Sequence, residues 1–216
     1  MKVINLGQTG FLEAHEIQLD LVKKVSLGIS ENALLLTEHR PCITIGRRGS
    51  RDNILSPEQH LRSQGIEIFD ADRGGDVTYH GPGQLVAYPI FKLENEARDI
   101  HGFLRFLEEV GRHFLAQYSV TAEERPGLRG VWVSGKKIGS IGIGVKKWVT
   151  YHGIAINLNT DLTPFSFIRP CGIDGVEVSS LKNILGSRGL DIEDAKDKLR
   201  TSFKEVPFLA EAVCTD

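Results

Sequence analysis

The chain has 216 residues, 41% of them hydrophobic and 25% charged, and its 26 Lys and Arg against 28 Asp and Glu leave a net charge of −2. That balance, with a pI near 6.4, offers no electrostatic footprint for nucleic acid, and no apolar run reaches the roughly 20 residues of a membrane-crossing helix. The length suits one domain, residues 1–216, with 185–216 as a helical tail. Three widely spaced cysteines make no disulfide framework, and MKVINLGQTGFLEAHEIQ lacks a secretory profile, so a cytoplasmic location is expected.

In chain order, residues 3–6 read as a short edge strand. Ala14, Ile17, Leu21 and Val25 recur at helical spacing and predict a helix over 13–27, stopped by Gly28. The apolar runs 33–36 and 43–45 are strands parted by Pro41, and Gly46-Arg47-Arg48-Gly49 makes a tight basic turn. Ser56 as N-cap, Pro57 in the first turn and Gln59 as third-position acceptor predict a short helix closed by Gly65. A strand resumes at 66–69. Past the segment 73–89, which ends in a strand at 85–91, a long helix is marked by Phe103, Leu107, Val110, Phe114 and Leu115. A polar loop covers 121–127. Strands are predicted at 130–133 and 138–145, about the turn Ser134-Gly135-Lys136, and at 149–158. Residues 160–173 are irregular. Ser179 or Ser180 caps a short helix ending at Gly186, and Ile192, Ala195, Leu199, Phe203 and Val206 mark a last helix. Strands and helices mix without strict alternation, so the expected class is α+β, a mixed or antiparallel sheet with flanking helices.

Residues 73–89, RGGDVTYHGPGQLVAYP, organise the rest. Six of the seventeen are Gly or Pro. Glycine adds nothing to a core, but it lets backbone N–H groups approach a bound molecule. Arg73, Thr78, Tyr79, His80 and Gln84 bring donors and acceptors to the same stretch, which reads as one wall of a ligand pocket rather than a plain glycine-turned hairpin.

The three thiols differ. Cys42 opens an apolar strand and reads as a small buried hydrophobe; Cys214 lies in the tail. Cys171, in IRPCGID, sits between a proline that fixes the approach and a glycine that frees the backbone, as a nucleophile would. A free thiol of pKa about 8.5 needs a nearby cation or base. The candidates are His80 and His152, each in a Tyr-His-Gly, and Lys136 or Lys137. Strand alternation groups Lys137 with Gly139, Ile141 and Ile143, and Lys136 with Ile138, Ser140, Gly142 and Gly144, without deciding which set faces the pocket. No short Cys/His spacing supports a metal site.

The motifs RGGDVTYHGPGQLVAYPI, GVWVSGKKIGSIGIG, YHGIAINL and RPCGIDGVEVSSL, in this order within about residues 34–181, closely resemble those of the octanoyl-[acyl-carrier-protein]:protein N-octanoyltransferases. The resemblance implies an α+β fold shared with biotin and lipoate protein ligases. It implies a cytoplasmic acyltransferase, without cofactor, that moves an octanoyl group from octanoyl-acyl carrier protein to a lysine ε-amino group. The acceptors it implies are lipoyl domains of 2-oxoacid dehydrogenase complexes and the glycine cleavage H protein. The acyl-thioester cysteine falls on Cys171 and the catalytic lysine on Lys137. The substrate-binding segments fall on Arg73, Gly74, Gly75, Asp76, Val77, Thr78, Tyr79 and His80, on Ser140, Ile141 and Gly142, and on Gly153, Ile154 and Ala155. Ser140 stands where the family usually has alanine. Backbone N–H groups around Gly172, or at the turn of Gly74 and Gly75, are expected to hold the oxyanion. Arg47, Arg48, Arg51, Lys146 and Lys147 are candidates for docking the acidic carrier. The rival readings are an ATP-dependent ligase, a Cys–His hydrolase and a non-catalytic acyl-binding module.

Overall fold

Alternating and helical hydrophobic periods resolve into nine strands and five α-helices among the described residues, 1–173, 175–186 and 189–208 of a computed structural model. The strands are β1 (Lys2–Thr9), β2 (Ala33–His39), β3 (Cys42–Ile45), β4 (Glu67–Asp70), β5 (Val77–His80), β6 (Gln84–Ile90), β7 (Val131–Val133), β8 (Lys136–Lys146) and β9 (Val149–Asn157). The helices are α1 (Phe11–Ser26), α2 (Glu58–Ser63), α3 (Ile100–Ala116), α4 (Leu181–Leu185) and α5 (Ile192–Glu205). A six-stranded sheet runs β1-β2-β6-β9-β8-β7, antiparallel except for the parallel edge pair β1 and β2. A smaller sheet runs β4-β3-β5. The class is the expected α+β.

The apolar stripes decide the layers. Phe103, Leu107, Val110, Phe114 and Leu115 of α3 and Leu199 and Phe203 of α5 pack with Ile138, Ile143 and Ile156 on one side of the large sheet. Ala14, Val22 and Val25 of α1 pack on Leu35, Val86 and Tyr88 on the other. The small sheet closes over Leu61, Phe165 and Ile168. Each fully buried large apolar side chain stabilises this arrangement by about 1.5–3 kcal/mol. Residues 73–89 leave the small sheet as β5 and enter the large one as β6, so the segment joins both sheets.

Two local expectations are corrected. Pro57, not Ser56, stands at the N-cap of α2, and no side chain caps it. The ψ of 140° at Pro57 is extended, so helical dihedrals begin only at Glu58 and Ser56 lies one residue too early. Lys136 belongs to β8 rather than to a turn. The β7–β8 connection is the pair Ser134 and Gly135, both at positive φ (48° and 80°), which matches the twist of a hairpin.

The β7–β8 ladder carries the one irregularity that matters for the site. Val131 opposes Gly139 but Trp132 opposes Lys137, so Ile138 is an extra residue, a β-bulge. Ile138 and Ile143 consequently both sit in the core with α3, whereas Lys137, Ser140 and Gly142 line the cavity side, which the partly buried Ile141 also borders. Strict alternation would have grouped Lys137 with Ile141 and Ile143.

Candidate active site

Between the two sheets lies a cavity of about 390 Å³, lined from β5, β6, β8 and β9 and by Cys171. Cys171 follows Pro170 in a short 3-10 turn and itself adopts a left-handed conformation, φ 60° and ψ 14°. Gly172, also left-handed at φ 67°, abuts the Asp76 carboxylate so closely that any Cβ there would collide with it. Proline before and glycine after thus turn the thiol into the cavity, where it remains partly accessible.

Lys137 Nζ donates to Cys171 Sγ at 2.7 Å. The lysine is 3% exposed, and its ammonium also lies 5.6 Å from the Trp132 ring centroid, a cation–π distance. Its backbone is pinned by the segment that follows the cysteine turn. Lys137 N–H donates to Glu177 O at 2.8 Å, and Ser179 N–H donates to Lys137 O at 2.9 Å. Gly130, at φ 135°, leaves the space the lysine side chain occupies; a Cβ there would lie 2.8 Å from Lys137 Cε. An ammonium donating to sulfur favours the thiolate, the reactive form.

Neither histidine named as a possible partner for the thiol is paired with it. His80 hydrogen-bonds Gln84 Oε1 through Nδ1 (2.7 Å) and the Thr44 hydroxyl through Nε2 (3.4 Å). Burial above all holds its pKa well below the ordinary value. His152 Nε2 lies 2.8 Å from Asp72 Oδ1, and burial lowers its pKa despite that carboxylate. Cys42 is buried as expected, and desolvation pushes its thiol up to about 12. Cys214 lies outside the described residues.

Arg73, Gly75, Asp76, Val77, Thr78, His80, Ser140, Ile141, Gly142, Gly153, Ile154 and Ala155 all line the cavity with Lys137 and Cys171. Tyr79 does not: alternation along β5 turns its ring into the small-sheet core, edge-on to Phe165. Gly74 is also absent from the lining; its N–H donates to Ile143 O and its carbonyl accepts from Arg73 Nη1. The expected oxyanion donors change accordingly. Gly172 N–H is committed to Arg169 O and Ile173 N–H to Pro170 O. The amide of Gly75, in the expected Gly74–Gly75 turn, and that of Asp76 have no hydrogen-bond acceptor among the described residues.

Val86 and Tyr88, within the 73–89 stretch read as a pocket wall, also line the cavity, as do Phe11, Leu128, Trp132, Ile173 and Val176, which the sequence did not single out. An apolar or aromatic side chain carries no local mark that separates a pocket lining from ordinary packing. The missed Asp72 precedes the RGG motif and also accepts from Tyr151 Oη at 2.7 Å. With His15 and His152 it brings three possible ligand atoms within 4.8 Å of one another. The two imidazoles stack with ring centroids 5.2 Å apart and planes within 9° of parallel.

The fold is that of the lipoate and biotin protein ligases. A crystal structure of lipoate-protein ligase A bound with ATP superposes with a TM-score of 0.74 at 16% identity, over 95% of this chain and 84% of that one. The bi-partite lipoate protein ligase of Thermoplasma acidophilum gives 0.72 at 17% identity, over 95% and 82%. A biotin protein ligase from Aquifex aeolicus gives 0.60 at 15%, over 94% and 69%.

Sequence narrows this to a family. Residues 11–204 match the lipoyl protein ligase A/B catalytic domain. An octanoyltransferase of Geobacter metallireducens is 43% identical over 98% of both chains, and one of Caldicellulosiruptor bescii is 46% identical over 95% of this chain and 91% of its own. The chain belongs to this family, on its octanoyltransferase branch.

Proposed function

We propose that this protein is an acyltransferase that carries an octanoyl group on Cys171 from octanoyl-acyl carrier protein to a lysine of a lipoyl domain. The reading rests above all on the 2.7 Å contact of Lys137 Nζ with Cys171 Sγ at the edge of the cavity. The names of the related octanoyltransferases support the acyl group. The solved pair of a lipoate ligase with its E2 lipoyl domain, on the same fold, supports the acceptor class.

The dyad returns to its starting state in one cycle. The Cys171 thiolate attacks the carbonyl of the donor thioester, and the Gly75 and Asp76 amides receive the developing oxyanion. The bond to the carrier's sulfur breaks, and Lys137 gives that sulfur its proton. Lys137 is now a neutral amine beside an acyl-thioester. The acceptor lysine, arriving uncharged, attacks the same carbonyl, and Lys137 takes the proton its nitrogen must lose. The bond to Sγ breaks, and thiolate and ammonium are restored. One thioester is exchanged for another, so no nucleotide is consumed, and amide formation draws the second step forward. At about 0.8 kcal/mol per buried methylene, an apolar lining distinguishes octanoyl from much shorter chains. Arg47 and Arg48 are exposed and Arg48 lines the cavity, which supports this edge as the approach for an acidic carrier.

The test is mass spectrometry after incubation with octanoyl-acyl carrier protein in ATP-free buffer. One octanoyl adduct is expected, on the Cys171 peptide, discharged by added lipoyl domain. Cys171→Ser is expected to abolish the labile adduct, and Lys137→Met to slow transfer by about 10²–10⁴. An unmodified Cys171 peptide together with ATP-dependent use of free octanoate would overturn the proposal in favour of a ligase. Release of free octanoate as fast as transfer would favour a hydrolase.

A further inference from the structure

The dyad leaves unused a buried cation beside it. Arg73 is 8% exposed, and among the described residues its guanidinium bonds only neutral oxygens. Nε and Nη2 donate to Thr44 Oγ1 (3.3 and 2.8 Å), Nη2 also to Thr44 O (2.8 Å), and Nη1 to Gly74 O (3.0 Å). The nearby Asp76 carboxylate instead accepts from Asn53 Nδ2 and Val77 N–H. Gly46 and Gly142 make room for the side chain, since a Cβ would stand 2.8 Å from Nη1 at the first and 3.2 Å from Cδ at the second. A cation buried without a carboxylate is costly and suits a place where negative charge appears during reaction. Burial works against the Arg73 charge, and among ionisable groups negative charge at Cys171 is the leading influence in its favour.

What holds the guanidinium is a chain of hydrogen bonds whose directions are all determined. A guanidinium only donates, so Thr44 Oγ1 accepts from Arg73 and its own proton points to His80 Nε2. His80 therefore carries its proton on Nδ1 and donates to Gln84 Oε1. Gln84 Nε2 donates to Tyr79 O (3.1 Å) and Asn157 Oδ1 (2.9 Å). Asn157 Nδ2 donates to Ser179 O at 3.0 Å, and Ser179 N–H donates to Lys137 O. One end is a group that cannot accept, and the other ends on backbone carbonyls that cannot donate. The same chain thus begins at Arg73 and finishes on the strand carrying Lys137.

We propose that Arg73 is a second, permanent cation for the Cys171 thiolate and the oxyanion, and that Thr44, His80, Gln84 and Asn157 are positioning residues that hold it, with His80 neutral and protonated on Nδ1. This deepens the reading of Cys171 as nucleophile and rests on it. Lys137 must give up its proton between the two steps, whereas a guanidinium keeps its charge throughout. The site stays cationic toward the second oxyanion while Lys137 is free to act as base.

The experiment reads the thiol without any acyl donor. The rate of iodoacetamide alkylation of Cys171, followed by peptide mass spectrometry, is measured against pH for the full chain. The charged and titratable groups facing this sulfur are Lys137 from β8, Arg73 and Asp76 from the loop before β5, and His80 and His152 from β5 and β9. Among the described residues, Tyr88 from β6, Arg48 and Arg129 also line the cavity, and Arg169 stands two residues before the cysteine. Arg73→Gln is expected to slow alkylation at pH 7 about tenfold, moving the profile up by roughly one pH unit. Thr44→Val is expected to move it the same way by less. Unchanged profiles in variants with native circular dichroism would overturn the proposal even if octanoyl transfer itself is demonstrated. Should Arg73→Gln fail to fold, Thr44→Val decides the point. A ¹⁵N spectrum of the unmodified protein decides the tautomer: a neutral His80 with Nδ1–H supports the chain, while Nε2–H or an imidazolium at pH 7 refutes it.

Discussion

At the scale of single residues, the site depends on backbone permissions as much as on reactive groups. Gly130 makes this testable. Its φ of 135° and the space taken by Lys137 Cε and the Gly139 carbonyl both exclude a Cβ. Gly130→Ala is therefore expected to lower the melting temperature by several degrees, as a strained backbone does. It is also expected to reduce transfer at least tenfold at a temperature where the variant is fully folded, because the lysine is displaced. A lower melting point with unchanged kcat would show that this glycine serves packing alone. Pro-Cys-Gly singled out Cys171 locally, whereas the Lys-Lys pair left Lys136 and Lys137 undecided, and only the family resemblance pointed to Lys137. Asp72, Thr44 and Asn157 were not legible, since a lone polar residue in a strand or loop carries no sign of its partners 29 to 80 positions away.

At the scale of elements, periodicity located nearly every helix and strand, but two features escaped it. Period-two reasoning assumes an unbroken ladder, and the extra residue Ile138 reverses the faces of β8 midway. Only pairing with β7 reveals that. Membership of two sheets was equally hidden, because β5 and β6 look like one hairpin across Gly81 to Gly83 until their hydrogen-bond partners are known. The helices were easier. Phe203 of α5 is 6% exposed and meets Phe106 of α3 and Phe91 edge-on, at ring distances of 5.9 and 6.2 Å. Phe203→Ala is expected to cost about 3–5 kcal/mol in urea unfolding while leaving the alkylation rate of Cys171 as it is. A change in that rate would mean that α5 reaches the site through α3.

For the whole molecule, the buried histidines set the response to acid. Burial lowers His39 to about 4 and holds His80 and His152 below their ordinary value. Unfolded, each takes up a proton near pH 6.5. Below that pH the unfolded chain binds protons that the folded one refuses, so stability is full above about 6.5 and declines as pH falls, by about 1.4 kcal/mol per unit for each histidine. Asp72, held below the usual carboxylate range first by its hydrogen bond from His152, adds a loss only below about pH 4. The melting temperature should therefore drop steadily between pH 6.5 and 4.5, and a flat profile would mean that these imidazoles are charged in the native state.

The left-handed backbone of Cys171 carries an implication for how such a protein evolves. A non-glycine residue there costs roughly 1–2 kcal/mol, more than the 0.4–1 kcal/mol that glycine loses through a freer unfolded chain. Cys171→Gly should then melt slightly higher than the parent while being unable to accept an acyl group. Selection for sturdiness alone would erase the thiol, and its presence marks position 171 as one where heat tolerance and turnover pull in opposite directions.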